Sequence, residues 1–278
     1  MPFVIGVDGP ESDLERARKS AQQHDLPLIS GPTSLAHGLI ALVNDSRGQF
    51  IRSGAETRSF TWPDIHGPWD ENRAKDLVGA LGIRTPARRS CASRAAAHEA
   101  LLELGSPVAV KLLDAAVLHK TEIGGVHLGV NSSEDMDRAL DALEAAGAHE
   151  FLIESMAPSG IDLVAGVRRD PVFGPIVVLG LGGTAAEVYA DVAIRSAPLS
   201  DRAAEAMPNE LLARELLYGF RSGPMLNTAE LSGVLVKMGD ALVSNDAIAE
   251  IEINPLRLTH EGLVALDAVV INVEEDMK

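Results

Sequence analysis

The sequence predicts an α+β protein, a large body preceded by a small α/β segment. Helix and strand patterns alternate along the chain, but without the strict strand–helix–strand rhythm of a doubly wound sheet. Three strand patterns follow one another between about 151 and 180 with no helical pattern between them. Residues 46 to 69 lose periodicity altogether, with glycine, proline, serine and isolated aromatics, and separate a short front from the rest.

Residues 3 to 45 read as two units: the strand FVIGV, a helix from about Ser12 to His24, the strand PLIS and a helix from about Thr33 to Val43. So small a fragment buries little surface by itself. The stretch 46 to 69 reads as a linker packed on a surface. Asp70 then caps ENRAKDLVGAL, stopped by Gly82, and Ser93 caps RAAAHEALLEL, stopped by Gly105. PVAVKLL and VHLGV form a strand pair around a loop. Ser132 or Ser133 caps EDMDRALDALEAA, which ends at Gly147, and FLIES, DLVAGVR and PIVVLG are the three successive strands. Residues from about 200 to 243 are helix-rich, broken at Pro208 and by GFRSGPMLN. AIAEIEIN, ended by Pro255, and LVALDAVV close the chain as strands. The boundaries that follow are 1–66 for the small segment and linker, and 67–278 for the body.

The chain has 278 residues, 46% of them hydrophobic, enough for one large core or two smaller ones. Its formal charge of −16 argues against a nucleic-acid or anionic-membrane surface, because neutralising phosphates needs clustered Lys and Arg. Any phosphate must be met by a local concentration of positive charge. The start, MPFVIGVDGPESD, has no basic n-region, and no apolar run approaches the roughly 20 residues that span a bilayer. A single cysteine, Cys91, permits no internal disulfide and no cysteine-rich metal site, which fits a reducing cytoplasm.

Three places carry candidate chemistry. In AEIEINPLRL, strand alternation sends Glu250, Glu252 and Asn254 to one face and Ile251 and Ile253 to the other. Two carboxylates and an amide oxygen are hard donors of the kind Mg²⁺ prefers, and a hairpin would bring Asp267 beside Asn254. An ordinary solvated strand face has the same spacing. GLGGTA, residues 180 to 185, formally fits a dinucleotide fingerprint, but no clean helix follows it. A glycine turn at Gly182 and Gly183 that lets backbone approach a phosphate, or a plain tight turn, is the better account. In VKLLDAAVLHKTEIGGV, Lys111 is a strand-borne cation suited to phosphate oxygens, and His119 is a neutral imidazole competent as a nucleophile near neutral pH.

Together these pieces resemble one family. GSPVAVKLLDAAVLHKTEIGGVHLGV, FLIESMAPSGIDLVAGVRRDPVFGPIVVLGLGGTAAEVYADVAIRSAPLS, LLYGFRSGP and EIEINPLRL occur in order and at spacings similar to those of the ATP-grasp domain, the β-type subunit, of ADP-forming (NDP-forming) acyl-CoA synthetases, relatives of succinyl-CoA synthetase β subunits. The resemblance covers about residues 68 to 275. Residues 3 to 45 resemble the tail of the flavodoxin-like CoA-ligase domain that precedes ATP-grasp in single-chain members, so the front segment reads as a possible remnant of it.

The resemblance implies an ATP-grasp fold of two subdomains, a lid of about 87–155 and a core of about 156–278, with nucleotide between them. It implies reversible conversion of acyl-CoA, phosphate and ADP into acid, CoA and ATP through acyl phosphate and phosphohistidine. Carried over residue by residue, Lys111 contacts nucleotide phosphates, Glu154 lies near adenine, and Glu252, Asn254 and Asp267 hold Mg²⁺. His119 receives the phosphoryl group, Lys120 offsets its charge, and Gly124 and Gly125 let backbone come close. The cofactors implied are ATP or ADP with Mg²⁺. The partner is an α-type CoA-binding and ligase subunit that brings the acyl-CoA. Departures from the family pattern are Ser222 and Asn227 in GFRSGPMLN, Val269 where an arginine is common, and Asp162 for a glutamate. Two other readings stay open: an ATP-dependent carboxylate ligase acting through acyl phosphate, and a non-catalytic nucleotide-sensing or scaffold module.

Overall fold

The computed structural model describes residues 4–52, 54–56, 58–65, 68–117, 120–183 and 191–273. The chain divides into two compact units, Met1–Gly54 and Ala55–Lys278. The first unit pairs β1 (Ile5–Val7) with β2 (Leu28–Ser30) in parallel, joined by α1 (Glu11–Gln23) and followed by α2 (Pro32–Arg52). α2 runs nine residues beyond the expected end at Val43, into the stretch read as linker. Leu39, Val43 and Phe50 stay on one stripe at helical spacing, and Gly48, the one glycine in the added stretch, weakens a helix by only about 1 kcal/mol relative to alanine.

The second unit holds two antiparallel sheets. The first has the order β3-β6-β4-β5, from β3 (Arg88–Cys91), β4 (Val108–Leu112), β5 (Val126–Val130) and β6 (Phe151–Ser155). α4 (Arg94–Leu104) and α5 (Ser133–Ala145) cover one face, and Val110, Ile153, Ala97 and Leu140 share the core between them. The expected caps are formed. Asp70, Ser93 and Ser132 accept from the backbone N–H three residues on, at the starts of α3 (Glu71–Ala80), α4 and α5.

The second sheet has the order β11-β10-β7-β8-β9, with β12 also on β10. Its strands are β7 (Ile161–Asp170), β8 (Gly174–Leu181), β9 (Val192–Ser196), β10 (Ile248–Thr259), β11 (Gly262–Ala265) and β12 (Ala268–Asn272). α6 (Asp201–Ala206), three short 3₁₀ turns and α7 (Thr228–Ser244) lie between β9 and β10. Trp62 and Trp69 fasten the stretch before α3 to this unit, their indole N–H groups donating to Ser244 Oγ and Asn272 Oδ1, each at 3.0 Å. No described helix is long and apolar enough to cross a membrane.

Contrary to expectation, Pro255 does not end the pairing of its strand; β10 continues through it to Thr259. Between Ile253 and Leu256 the register against β7 slips by one residue, from Ala165 to Leu163, so Asn254 and Pro255 form a bulge. Proline has no N–H to give to the ladder, but its carbonyl still accepts from Leu266 N–H at 3.0 Å. LVALDAVV, read as one strand, is two: β12 pairs with the first half of β10 and β11 with the second, and the break at Leu266–Asp267 faces the bulge. β3 and β9 were not anticipated. Both are short edge strands with too few apolar positions to show a period of two.

Candidate functional site

Strand alternation places the first charged groups. β4 is buried on both faces: Val108, Val110 and Leu112 enter the core against α4 and α5, so Ala109 and Lys111 point to the opposite side. β6 does the same, with Phe151 and Ile153 in that core and Leu152 and Glu154 turned away. Ala109 pairs with Glu154 and Lys111 with Leu152, which makes Lys111 and Glu154 diagonal neighbours on one face. α3 brings Glu71 and Lys75, four residues apart on its buried side with Ala74 and Val78. Lys120 begins a 3₁₀ turn, Lys120–Ile123.

These side chains meet in one buried network. Glu71 Oε1 accepts from Lys75 Nζ at 2.8 Å and Lys111 Nζ at 2.5 Å, and Oε2 accepts from Lys120 Nζ at 2.6 Å. Glu154 Oε1 accepts from Lys75 Nζ at 2.5 Å, and its Oε2 lies 2.9 Å from Lys111 Nζ. Lys111 also donates to the Leu266 carbonyl at 2.7 Å, tying the first sheet to the β11–β12 turn of the second. Three ammoniums therefore face two glutamates. Burial alone would raise the Glu71 pKa, but Lys111, Lys75 and Lys120 outweigh it and hold the carboxyl well below its usual range. Burial also pulls at Lys111, where Glu71, Glu154 and Asp267 reverse it and keep the ammonium firmly protonated. At Lys75 burial prevails, aided by the like charge of Lys111, and the pKa is lowered.

The bulge of β10 supplies the other half. Asn254 N–H donates to the Asp267 carbonyl at 3.2 Å, so the expected neighbourhood of these two residues is present in the backbone. Asn254 Nδ2 donates to Glu252 Oε1 at 3.2 Å. Ile251 and Ile253 are fully buried on the opposite face. Asp267 Oδ1 is buried and meets no hydrogen-bond donor among the described residues. Burial, reinforced by Glu71, pushes the Asp267 pKa up to about 6, with Lys111, Lys120 and Lys75 pulling the other way. Among the described residues no three His, Cys, Asp or Glu side chains converge as a metal cage. Glu252, Asn254 and Asp267 nonetheless fit Mg²⁺ as a donor set, because the ion takes one or two carboxylates and completes its shell with water and phosphate. The orphaned Asp267 oxygen is an acceptor that such an ion could meet.

His119 lies outside the described residues, as do 184–190 beyond the glycine turn. The glycine pair after the histidine has a local reason. Gly124 has φ +72°, and Gly125 donates its N–H to the Lys120 carbonyl at 2.7 Å, where an added Cβ would lie 2.9 Å from that oxygen. Gly182 is equally close to Asp162, whose carbonyl takes its N–H at 2.6 Å and whose carboxylate holds Arg257 in a two-pronged pair at 2.6 and 2.9 Å. Gly183 follows with φ +79°.

Glu71 and Lys75 escaped the sequence reading. Their signal is that both sit in the apolar stripe of an amphipathic helix, at positions where a core-facing helix carries Leu or Ala, and charged residues are almost never fully buried unless paired.

Residues 67–271 match the ATP-grasp domain family. The β subunit of acetate–CoA ligase (ADP-forming) I of Pyrococcus furiosus is 31% identical over 212 residues, which cover 73% of this chain and 91% of that subunit. A trans-feruloyl-CoA synthase of an unknown prokaryotic organism is 32% identical over 217 residues, 74% of this chain but 31% of that protein. The chain thus spans about a third of the longer relative and nearly all of the separate β subunit. Among solved structures, the dinucleotide-forming acetyl-coenzyme A synthetase 1 of Ca. Korarchaeum cryptofilum, in complex with coenzyme A and Mg-AMPPCP and with its phosphohistidine segment pointing towards the nucleotide-binding site, superposes with TM-score 0.63 at 34% identity, covering 73% of this chain and 92% of that one. The chain belongs to the ATP-grasp family, among the β-type domains of the ADP-forming acyl-CoA synthetases.

Proposed function

We propose that this chain is the nucleotide-binding, phosphoryl-transferring part of an ADP-forming acyl-CoA synthetase, an acid–thiol ligase that works in the cytoplasm with an α-type CoA-binding subunit. The observation that carries the reading is the buried cluster of Lys75, Lys111 and Lys120 in a chain of net charge −16. Three ammoniums gathered out of water are a poor choice for stability, since ion desolvation offsets most of the Coulomb gain, and a good one for an anionic ligand. The relative bound to Mg-AMPPCP supports a nucleotide as that ligand.

Lys120 meets phosphate oxygens, Lys111, whose N–H groups are held by Glu71, Glu154 and the Leu266 carbonyl, adds its charge from behind, and the Gly182–Gly183 turn admits backbone close to the phosphates. Glu154 fixes two of the lysines and, in this reading, lies near adenine from the end of β6. Glu252, Asn254 and Asp267 would hold Mg²⁺, which supplies charge neutralisation at the phosphates when bound. The imidazole of His119 attacks the γ-phosphorus of ATP. The N–P bond forms, the bond from phosphorus to the β,γ-bridging oxygen breaks, and ADP leaves with that electron pair. Run in reverse, the phosphoryl group returns to ADP. The acyl chemistry and CoA belong to the partner.

Incubation with Mg·ATP labelled at the γ position should leave label that survives base and is lost in acid, as a phosphoramidate requires. His119→Ala should abolish the label while nucleotide affinity stays within about threefold, because the lysines and metal donors are untouched. Label that persists in His119→Ala would move the acceptor elsewhere, and nucleotide binding without any label in the wild type would turn the reading to a sensing module.

A further inference from the structure

Glu71 has no counterpart among the residues that a nucleotide would touch. Its side chain is wholly buried, yet its two oxygens receive ammoniums from three elements: Lys75 from its own helix, Lys111 from β4 and Lys120 from the 3₁₀ turn. An ammonium has three N–H donors. Lys111 has committed all of them, to Glu71, Glu154 and the Leu266 carbonyl. Lys75 has committed two, and the remainder of its side chain is fully enclosed. Among the described residues Lys120 makes one such bond, to Glu71. Lys120 is also the residue bonded directly to His119 in the chain, and consecutive Cα atoms stand about 3.8 Å apart.

We propose that Glu71 is a positioning residue for phosphoryl transfer: it anchors Lys120, and through it the turn that follows His119, so that the Lys120 ammonium is held for the transferring phosphate. This rests on the phosphoryl-transfer reading above. The anchor is fixed in charge, because the three lysines keep the Glu71 carboxyl ionised well below neutral pH. It is fixed in place as well, since α3 begins at the Asp70 cap one residue before it. A carboxylate serving only to neutralise the lysines could be removed together with one of them at no loss of function; an anchor could not.

The test uses that difference. E71Q alone leaves uncompensated buried charge and is expected to fold poorly. The double variant E71Q/K75M removes one negative and one positive group, keeps the charge of the cluster, and leaves Glu154 on Lys111. K75M is its reference. In the complete enzyme with its partner, E71Q/K75M should take label from γ-labelled Mg·ATP about tenfold or more slower than K75M at saturating nucleotide, with nucleotide Kd changed far less. Amide hydrogen exchange of residues 120–126 should speed up about tenfold, while β4 and β6 keep their protection. E71D/K75M, which retains a shorter carboxylate, should recover part of the rate. A folded E71Q/K75M that labels at the K75M rate overturns the proposal, as does unchanged protection of 120–126. If wild type itself binds nucleotide and takes no label, the phosphoryl-transfer reading fails, and exchange alone then decides the anchor.

Discussion

Asp267 is an acid whose carboxyl burial holds well above its usual range. Its folded pKa of about 6 stands above the unfolded value near 3.9, so between those pH values the native state holds a proton that the unfolded chain has released. Stability should therefore fall as pH rises from about 4 to about 6 and level off above. Asp267→Asn removes that slope. Thermal melts of wild type and Asp267→Asn in chelator should show the variant gaining on wild type across this window, and a constant difference would mean that Asp267 is not perturbed. Glu252 offers a second test, because it touches only the Asn254 amide among the described hydrogen bonds. Glu252→Ala should weaken ADP binding by calorimetry with Mg²⁺ present and leave it within about twofold in EDTA. Equal loss in both conditions would make Glu252 structural.

Two short elements carry the next consequences. The turn from Lys120 to Gly125 closes on the Gly125 N–H, and a methyl group there meets a backbone oxygen that cannot swing aside. Gly125→Ala should displace the turn, lowering the phosphorylation rate about tenfold while costing roughly 1–3 kcal/mol of stability. Measuring both separates displacement from unfolding. At the start of α7, Asn227 stands where the family commonly has Asp, and its Oδ1 accepts from Ala229 and Glu230 N–H. Asn and Asp cap equally well. Asn227→Asp should be neutral in a thermal melt and Asn227→Ala should cost about 1 kcal/mol, so this departure leaves the helix intact. Caps of this kind were readable beforehand because they depend on residues three apart. β3 and β9 were not, because an edge strand of four or five residues is defined by its partner.

The whole chain has two compact units, and every described residue of the candidate site lies in the second, Ala55–Lys278. A chain beginning at Ala55 should keep its nucleotide affinity within about threefold of the full chain, since no described donor is removed. Loss of binding on this truncation would assign the front unit to the nucleotide site. The purified full chain without partner should label with Mg·ATP but make no acyl-CoA from acid, CoA and ATP. Robust turnover by the chain alone would place the acyl chemistry within it.

Helix caps, strand alternation and the motif around VLHKTEIGGV were legible in the residues themselves, because each depends on neighbours a few positions apart. Even the meeting of Asn254 with Asp267 could be anticipated, since a hairpin is the shortest route between adjacent strands. The bond partners of the lysines could not. Glu71, Lys111, Glu154 and Leu266 come from four elements far apart in the chain, and which acceptors each ammonium meets depends on the register of β4 on β6 and the docking of α3 across both sheets. Spacing indicates which face a lysine occupies; how many of its N–H groups are already taken is set by long-range packing, where burial makes each such pairing matter.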